Sequence, residues 1–97
     1  MITRTVTIGT PLGLHARPAA RFVQAVIDSG LHVTMAHDGR EVDAGSILSV
    51  MSLNVVGGDV VMLTTNADET SGDGAGVDAV NMTMDSLTAM LASNLDE

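Results

Sequence analysis

At 97 residues, 45% of them hydrophobic, the chain is sized for one modest core and is too short for two, so residues 1–97 are read as a single domain. A net charge of −8 with no lysine argues against general nucleic-acid binding, and the absence of cysteine excludes a disulfide framework or a thiolate zinc site and fits a reducing cytoplasm. Met1–Thr5 lacks the apolar run of a signal peptide and nothing approaches a membrane span, so a soluble cytoplasmic chain without membrane insertion is expected.

From Ile2 to Ile8, apolar Ile2, Val6 and Ile8 alternate with Thr3, Thr5 and Thr7, the period of a half-buried antiparallel strand. Gly9-Thr10-Pro11 ends that strand. Ala19, Phe22, Val23, Val26 and Ile27 then recur at helical spacing, with Pro18 suited to the first turn and Gly30 placed as a left-handed stop. Leu31 to Ala36 alternates again as a second strand. Asp38-Gly39 is a two-residue hairpin turn, and Arg40 to Asp43 returns as a third strand.

Ser46 is placed to cap a short helix in which Ile47, Val50, Met51 and Asn54 share a face, leaving Leu48 to solvent. Gly57-Gly58 turns the chain into Asp59–Thr65. Its apolar run Val60-Val61-Met62-Leu63 fits either a central strand covered on both faces or one with an apolar outer face. Residues 66–76 read as a flexible acidic loop, and a last helix from about Val77 to Ser93 puts Val77, Val80, Met84, Leu87 and Leu91 on its core face, with Met90 beside them. The order β-α-β-β-α-β-α lacks the alternation of a parallel sheet. It predicts an α+β fold, one sheet of four antiparallel strands with three helices on one face.

The chemistry concentrates at the start of the first helix. His15 falls at or just before its N-terminus, where unpaired amides and the positive end of the macrodipole attract anions. That field, with Arg17 two residues on, disfavours a cationic imidazole and favours the neutral, nucleophilic form, which can accept a phosphoryl group. No acidic residue precedes Asp28, whereas Arg17 and Arg21 lie one turn apart, so the helix opens as a positive island on an acidic molecule. Without His15 beside them, two arginines would as readily serve only to solubilise a helix. His32 and His37 have no such surroundings and read as ordinary strand or turn residues, and their spacing gives no support to a zinc site.

Leu12-Gly13-Leu14-His15-Ala16-Arg17-Pro18-Ala19 resembles the active-site segment of the HPr family, the histidine-containing phosphocarriers of the bacterial phosphoenolpyruvate-dependent sugar phosphotransferase system. Ser46-Ile47-Leu48-Ser49-Val50-Met51-Ser52-Leu53 resembles the regulatory-serine helix of that family, at the family's separation from the histidine. The resemblance implies an open-faced β-sandwich, in agreement with the element order, and a carrier rather than an independent enzyme. His15 would take a phosphoryl group on Nδ1 from enzyme I and pass it to a sugar-specific enzyme IIA, with Arg17 steadying the phosphate and no cofactor or metal involved. It also implies a docking patch of Ala16, Arg21, Ile47 and Leu48, and a Ser46 that a serine kinase modifies in some members. Here Gly45 stands where a basic residue often precedes that serine, and Gln24 and Ile27 stand where relatives often carry lysine. The docking surface is therefore less basic than usual, and a small carrier visiting two partners is expected to be a monomer.

Two rivals stay open. One is a regulatory module of the same fold acting through Ser46, although such members lack the active histidine. The other is a signalling carrier of the nitrogen-related phosphotransferase branch. A histidine-dependent hydrolase finds no orienting carboxylate close in sequence to His15. Asn81-Met82-Thr83 matches a glycosylation sequon but falls on a predicted helix. The acidic loop lacks the ligand spacing of a calcium-binding hand.

Overall fold

The computed structural model describes residues 2–11, 13–65 and 75–93, with backbone only over 75–78. Among these residues seven elements follow in order: β1 (Ile2–Thr7), α1 (Ala16–Ser29), β2 (Val33–His37), β3 (Arg40–Asp43), α2 (Ile47–Ser52), β4 (Val60–Thr65) and α3 (Ala75–Ala92). The strands form one sheet in the order β1-β4-β2-β3, and every pairing is antiparallel.

The register shows how alternation sorts the two faces. Val6 lies opposite Val61, and Leu63 stands between Arg4 and Met35, with Val42 next in the row. Directly opposed residues share a face, so these side chains line the inner surface with Val33 and Thr65. The outer rows are Thr3-Thr64-Thr34-Asp43, Thr5-Met62-Ala36-Glu41 and Thr7-Val60. The sheet is thus half-covered, as the threonine-rich first strand predicted. For β4 the second of the two options holds. It is an inner strand, yet Val61 and Leu63 are 1% and 0% exposed whereas Val60 and Met62 are 54% and 41% exposed.

The helices cover the inner face. α1 buries Pro18, Ala19, Phe22, Val23 and Val26, packs against both α2 and α3, and ends at Gly30 with φ 75°. Ile27 departs from the expected apolar stripe. It is 57% exposed, because the buried face of α1 is narrower than its apolar one. Val50 of α2 and Val80, Met84, Leu87 and Leu91 of α3 complete a core around Phe22, the sole aromatic residue of the chain. Burying these side chains is the main favourable term for so small a protein. The expected place of Val77 and most of the 66–76 loop lie outside the described residues.

Local chemistry explains the connections. Asp38 and Gly39 both have positive φ, 51° and 83°, the geometry of a two-residue turn whose twist matches its strands. Arg4, on the inner row of edge strand β1, reaches up to α3. Its Nε donates to Asp85 Oδ1 at 3.0 Å and a terminal nitrogen donates to Asn81 Oδ1 at 2.9 Å. Arg40 donates to the Ser52 carbonyl at 2.9 Å, satisfying an end of α2. Two of the four arginines therefore brace helices, and the sequon asparagine Asn81 is part of one brace. Among the described residues no helix is long and apolar enough to cross a membrane.

Candidate functional site

His15 is the N-cap of α1. Its φ and ψ are −87° and −168°, its carbonyl accepts from Ala19 N at 2.9 Å, and its imidazole takes no part in capping the helix. The ring is exposed, and so are Ala16 and Arg17. The amides of Ala16 and Arg17 belong to the first turn and have no acceptor within the helix, while Pro18 brings no N–H there. The Arg17 side chain makes no hydrogen bond or ion pair with any described residue. An imidazole, two amides and an unengaged guanidinium thus stand within three residues, without a carboxylate in the same turn.

What holds His15 in place is main chain. Gly13 has φ +80°, and a Cβ built on it would fall on the Val55 carbonyl oxygen and 2.5 Å from Val56 Cα. Gly57 is held similarly: an added Cβ would lie 2.5 Å from the Pro11 carbonyl oxygen. These two glycines let the segment before the histidine lie flat on residues 55–57. The seam is stitched by Leu14 N donating to Val55 O at 3.0 Å. The start of the loop is tied to the far end of α3, where Gly9 N donates to Leu91 O at 2.9 Å and Thr10 Oγ1 to Ser93 O at 3.3 Å. Asp59 fastens the opposing turn, accepting from Val56 N at 3.0 Å through Oδ2 while its own N–H donates to Val56 O at 3.0 Å.

His37 also meets Asp59, with Nε2 3.4 Å from Oδ2, and its other ring nitrogen lies 3.3 Å from Val60 O. Both nitrogens have protein partners and the ring is mostly covered, 18% exposed, so His37 is a structural residue as its sequence surroundings suggested. No cluster of three or more His, Asp or Glu residues suited to a metal ion occurs among the described residues.

Beside His15 lies a shallow depression of about 270 Å³ lined by Leu14, His15, Met51, Asn54, Val55 and Val56. Met51 belongs to α2, and Ile47 and Leu48 are one turn before it on that helix. Both are exposed, Leu48 at 78% and Ile47 at 37%. Ile47 and Leu48 thus extend the exposed apolar surface of α2 from the Met51 that lines the depression, while Arg17 and Arg21 lie on α1. Ser46 caps α2, its Oγ accepting from Ser49 N at 3.4 Å. The helix stops sooner than its apolar pattern suggested. Leu53 is its C-cap and Asn54 turns left-handed with φ 54°, so Asn54 leaves the α2 face and joins the depression. Sequence reasoning singled out His15, Arg17, Ile47 and Leu48, but not Asn54 or the Val55–Gly57 backing that the structure brings beside His15. Their proximity to His15 is a tertiary contact about 40 residues away in sequence.

Comparison with known proteins places this geometry. A family model described as the PTS HPr component phosphorylation site matches residues 2–92. The chain is 44% identical over 69 residues to the phosphocarrier protein HPr of Streptomyces coelicolor, a match that spans 70% of this chain and 74% of that protein. It is 39% identical over 70 residues to the HPr-like protein Crh of Bacillus subtilis, spanning 71% of this chain and 82% of that one. The crystal structure of a phosphocarrier protein HPr from Bacillus anthracis is similar with a TM-score of 0.75 at 31% identity, covering 93% of this chain and 95% of the other.

Proposed function

The chain belongs to the HPr family of phosphocarriers of the phosphotransferase system, and on that premise we propose that His15 is its phosphoryl acceptor. The observation that carries the reading is the exposed His15 imidazole at the N-cap of α1, unengaged in capping, beside first-turn amides and the Arg17 guanidinium. The Nδ1 lone pair attacks phosphorus as the P–N bond to the phosphohistidine of enzyme I breaks, and that electron pair returns to the donor ring. Nε2 keeps its proton. The dianionic group that arrives is met by Arg17 and by the amides of Ala16 and Arg17. The same step then runs toward an enzyme IIA histidine. A carrier needs reversible stabilisation, and ligands at an exposed site give that without trapping the phosphate.

Enzyme I and enzyme IIA dock over Ala16, Arg17, Arg21, Ile47 and Leu48, where an apolar centre is flanked by the positive start of α1. The whole chain acts as one domain, as a monomer in the cytoplasm, and is a carrier rather than a catalyst of its own. The exposed start of α2 with Ser46 at its cap supports a second reading, in which phosphorylation of Ser46 by a kinase adds nearly two negative charges beside the docking face and turns partners away. The identity of the phosphoryl acceptor separates sugar transport from the nitrogen-related branch.

The test is transfer of labelled phosphate from phosphoenolpyruvate through purified enzyme I. Acid-labile label on the wild type and none on His15→Ala is the expected result. An unlabelled wild type, or a variant labelled equally, refutes the carrier reading and leaves Ser46-based regulation in the lead.

A further inference from the structure

Among the described residues, Asn54 is the one lining the His15 depression, other than His15 itself, that has a polar side chain; Leu14, Met51, Val55 and Val56 supply the rest. It is exposed, and its carboxamide makes no hydrogen bond with any described residue. Its backbone is held in place, since Asn54 N donates to Met51 O at 3.1 Å and φ is 54°, a conformation that asparagine adopts more readily than most residues. The next residue, Val55, is pinned to Leu14 through the 3.0 Å bond described above. The two residues that bear the polar groups of the depression are thus each adjacent in sequence to one partner of the same backbone hydrogen bond. Asn54, whose carboxamide has no partner among the described residues, thus lines the same largely apolar depression as the proposed nucleophile, and a hydrogen bond to an ionised oxygen is stronger than one between neutral groups.

We propose that Asn54 is a phosphate-binding residue of the charged carrier, its Nδ2–H donating to a phosphoryl oxygen on phospho-His15 from the α2 side. This rests on the proposed acceptor role of His15 and adds a ligand to the Arg17 guanidinium and first-turn amides. Asn54 tunes the phosphoryl-transfer potential: its hydrogen bond is made only when the phosphate is present, so it shifts the equilibrium between phospho-enzyme I and the carrier toward the carrier.

The test uses the full chain and variants whose backbone preference suits the site. Asn54→Gly removes the amide and accepts positive φ freely, and Asn54→Asp keeps the shape but replaces the donor with a carboxylate. Each protein is brought to equilibrium with enzyme I and phosphoenolpyruvate-derived label at dilute concentration, and the ratio of charged carrier to charged enzyme I is read. That ratio is independent of how tightly or how fast the two proteins dock, so a residue that serves only docking leaves it unmoved. Asn54→Gly is expected to shift it roughly three- to tenfold toward enzyme I, the effect of one charge-assisted hydrogen bond at a solvent-accessible site. Asn54→Asp is expected to shift it further. Phosphoramidate, which charges accessible histidines without any partner, provides the ³¹P resonance of phospho-His15, identified by its absence in His15→Ala, and that resonance is expected to move in both variants. A charged wild type with variants at the wild-type ratio and an unmoved resonance overturns the role of Asn54 and leaves His15 as the acceptor. A wild type that neither donor charges on His15 overturns both.

Discussion

Replacing Gly13 by alanine isolates the feature on which the site depends. Two costs arise at once. A left-handed backbone costs an alanine about 1–2 kcal/mol, and the new Cβ collides with the main chain of Val55 and Val56, which have no rotamer with which to yield. Relieving the collision means parting the seam and losing the Leu14–Val55 hydrogen bond, about 0.5–1.5 kcal/mol more. The sum is roughly 2–3 kcal/mol, and for a domain of this size that lowers Tm by roughly 10–15 °C. Gly30→Ala is the matched control. Its φ of +75° is nearly the same, but an added Cβ meets nothing within 4 Å, so it incurs the conformational cost alone, about 1–2 kcal/mol. Differential scanning calorimetry on both variants reads the difference, and charging by enzyme I should fall in Gly13→Ala and persist in Gly30→Ala. Equal losses of Tm in the two variants would refute the reasoning, because they would mean that the loop before His15 does not lie on residues 55 and 56.

Three other outcomes are expected. Leu48→Asp should leave stability within about 0.5 kcal/mol, since the side chain is 78% exposed, while raising the KM for enzyme I about tenfold in the transfer assay. Phe22→Ala should cost about 3–5 kcal/mol by urea denaturation, a large share of the total stability of a small domain, because Phe22 is fully buried at the centre of the core. Asp59→Ala should cost about 1 kcal/mol and speed hydrogen exchange at the Val56 amide, which loses its 3.0 Å acceptor; an unchanged exchange rate would show that the turn is held by other means.

Local signals in this chain were strong and long-range ones were silent. Thr3, Thr5 and Thr7 marked the open face of the sheet because alternation is a property of neighbouring residues. The Asp38-Gly39 turn and the Gly30 cap were legible because positive φ favours particular residue types. The helical spacing of α2 gave the exposure of Leu48. Ile27 was misread because periodicity reports which side of a helix is apolar, not how much of that side its neighbours reach. The end of α2 was misread for a similar reason, since apolar spacing continues to Asn54 while the backbone turns left-handed there. Arg4 beside Asp85 and Gly13 against Val55 involve pairings that no local pattern announces. The resemblance of the His15 segment to a known family pointed to the proposed nucleophile, whereas the surface on which that segment rests became visible only in three dimensions.

The seam between Gly13 and residues 55–57 has a consequence for how such a carrier diversifies. The backbone of His15 is located by carbonyls, amides and the lack of a Cβ at Gly13, none of which depends on the side chains that decorate the outer surfaces of α1 and α2. Residues such as Gln24, Ile27 and Leu48, all exposed, are free to change while the backbone of His15 stays in place. On the proposed function, chemistry and recognition are therefore inherited as separate parts. A carrier could be redirected to a foreign partner by rewriting a handful of surface positions, and it would arrive at that partner with its donor atom already in register.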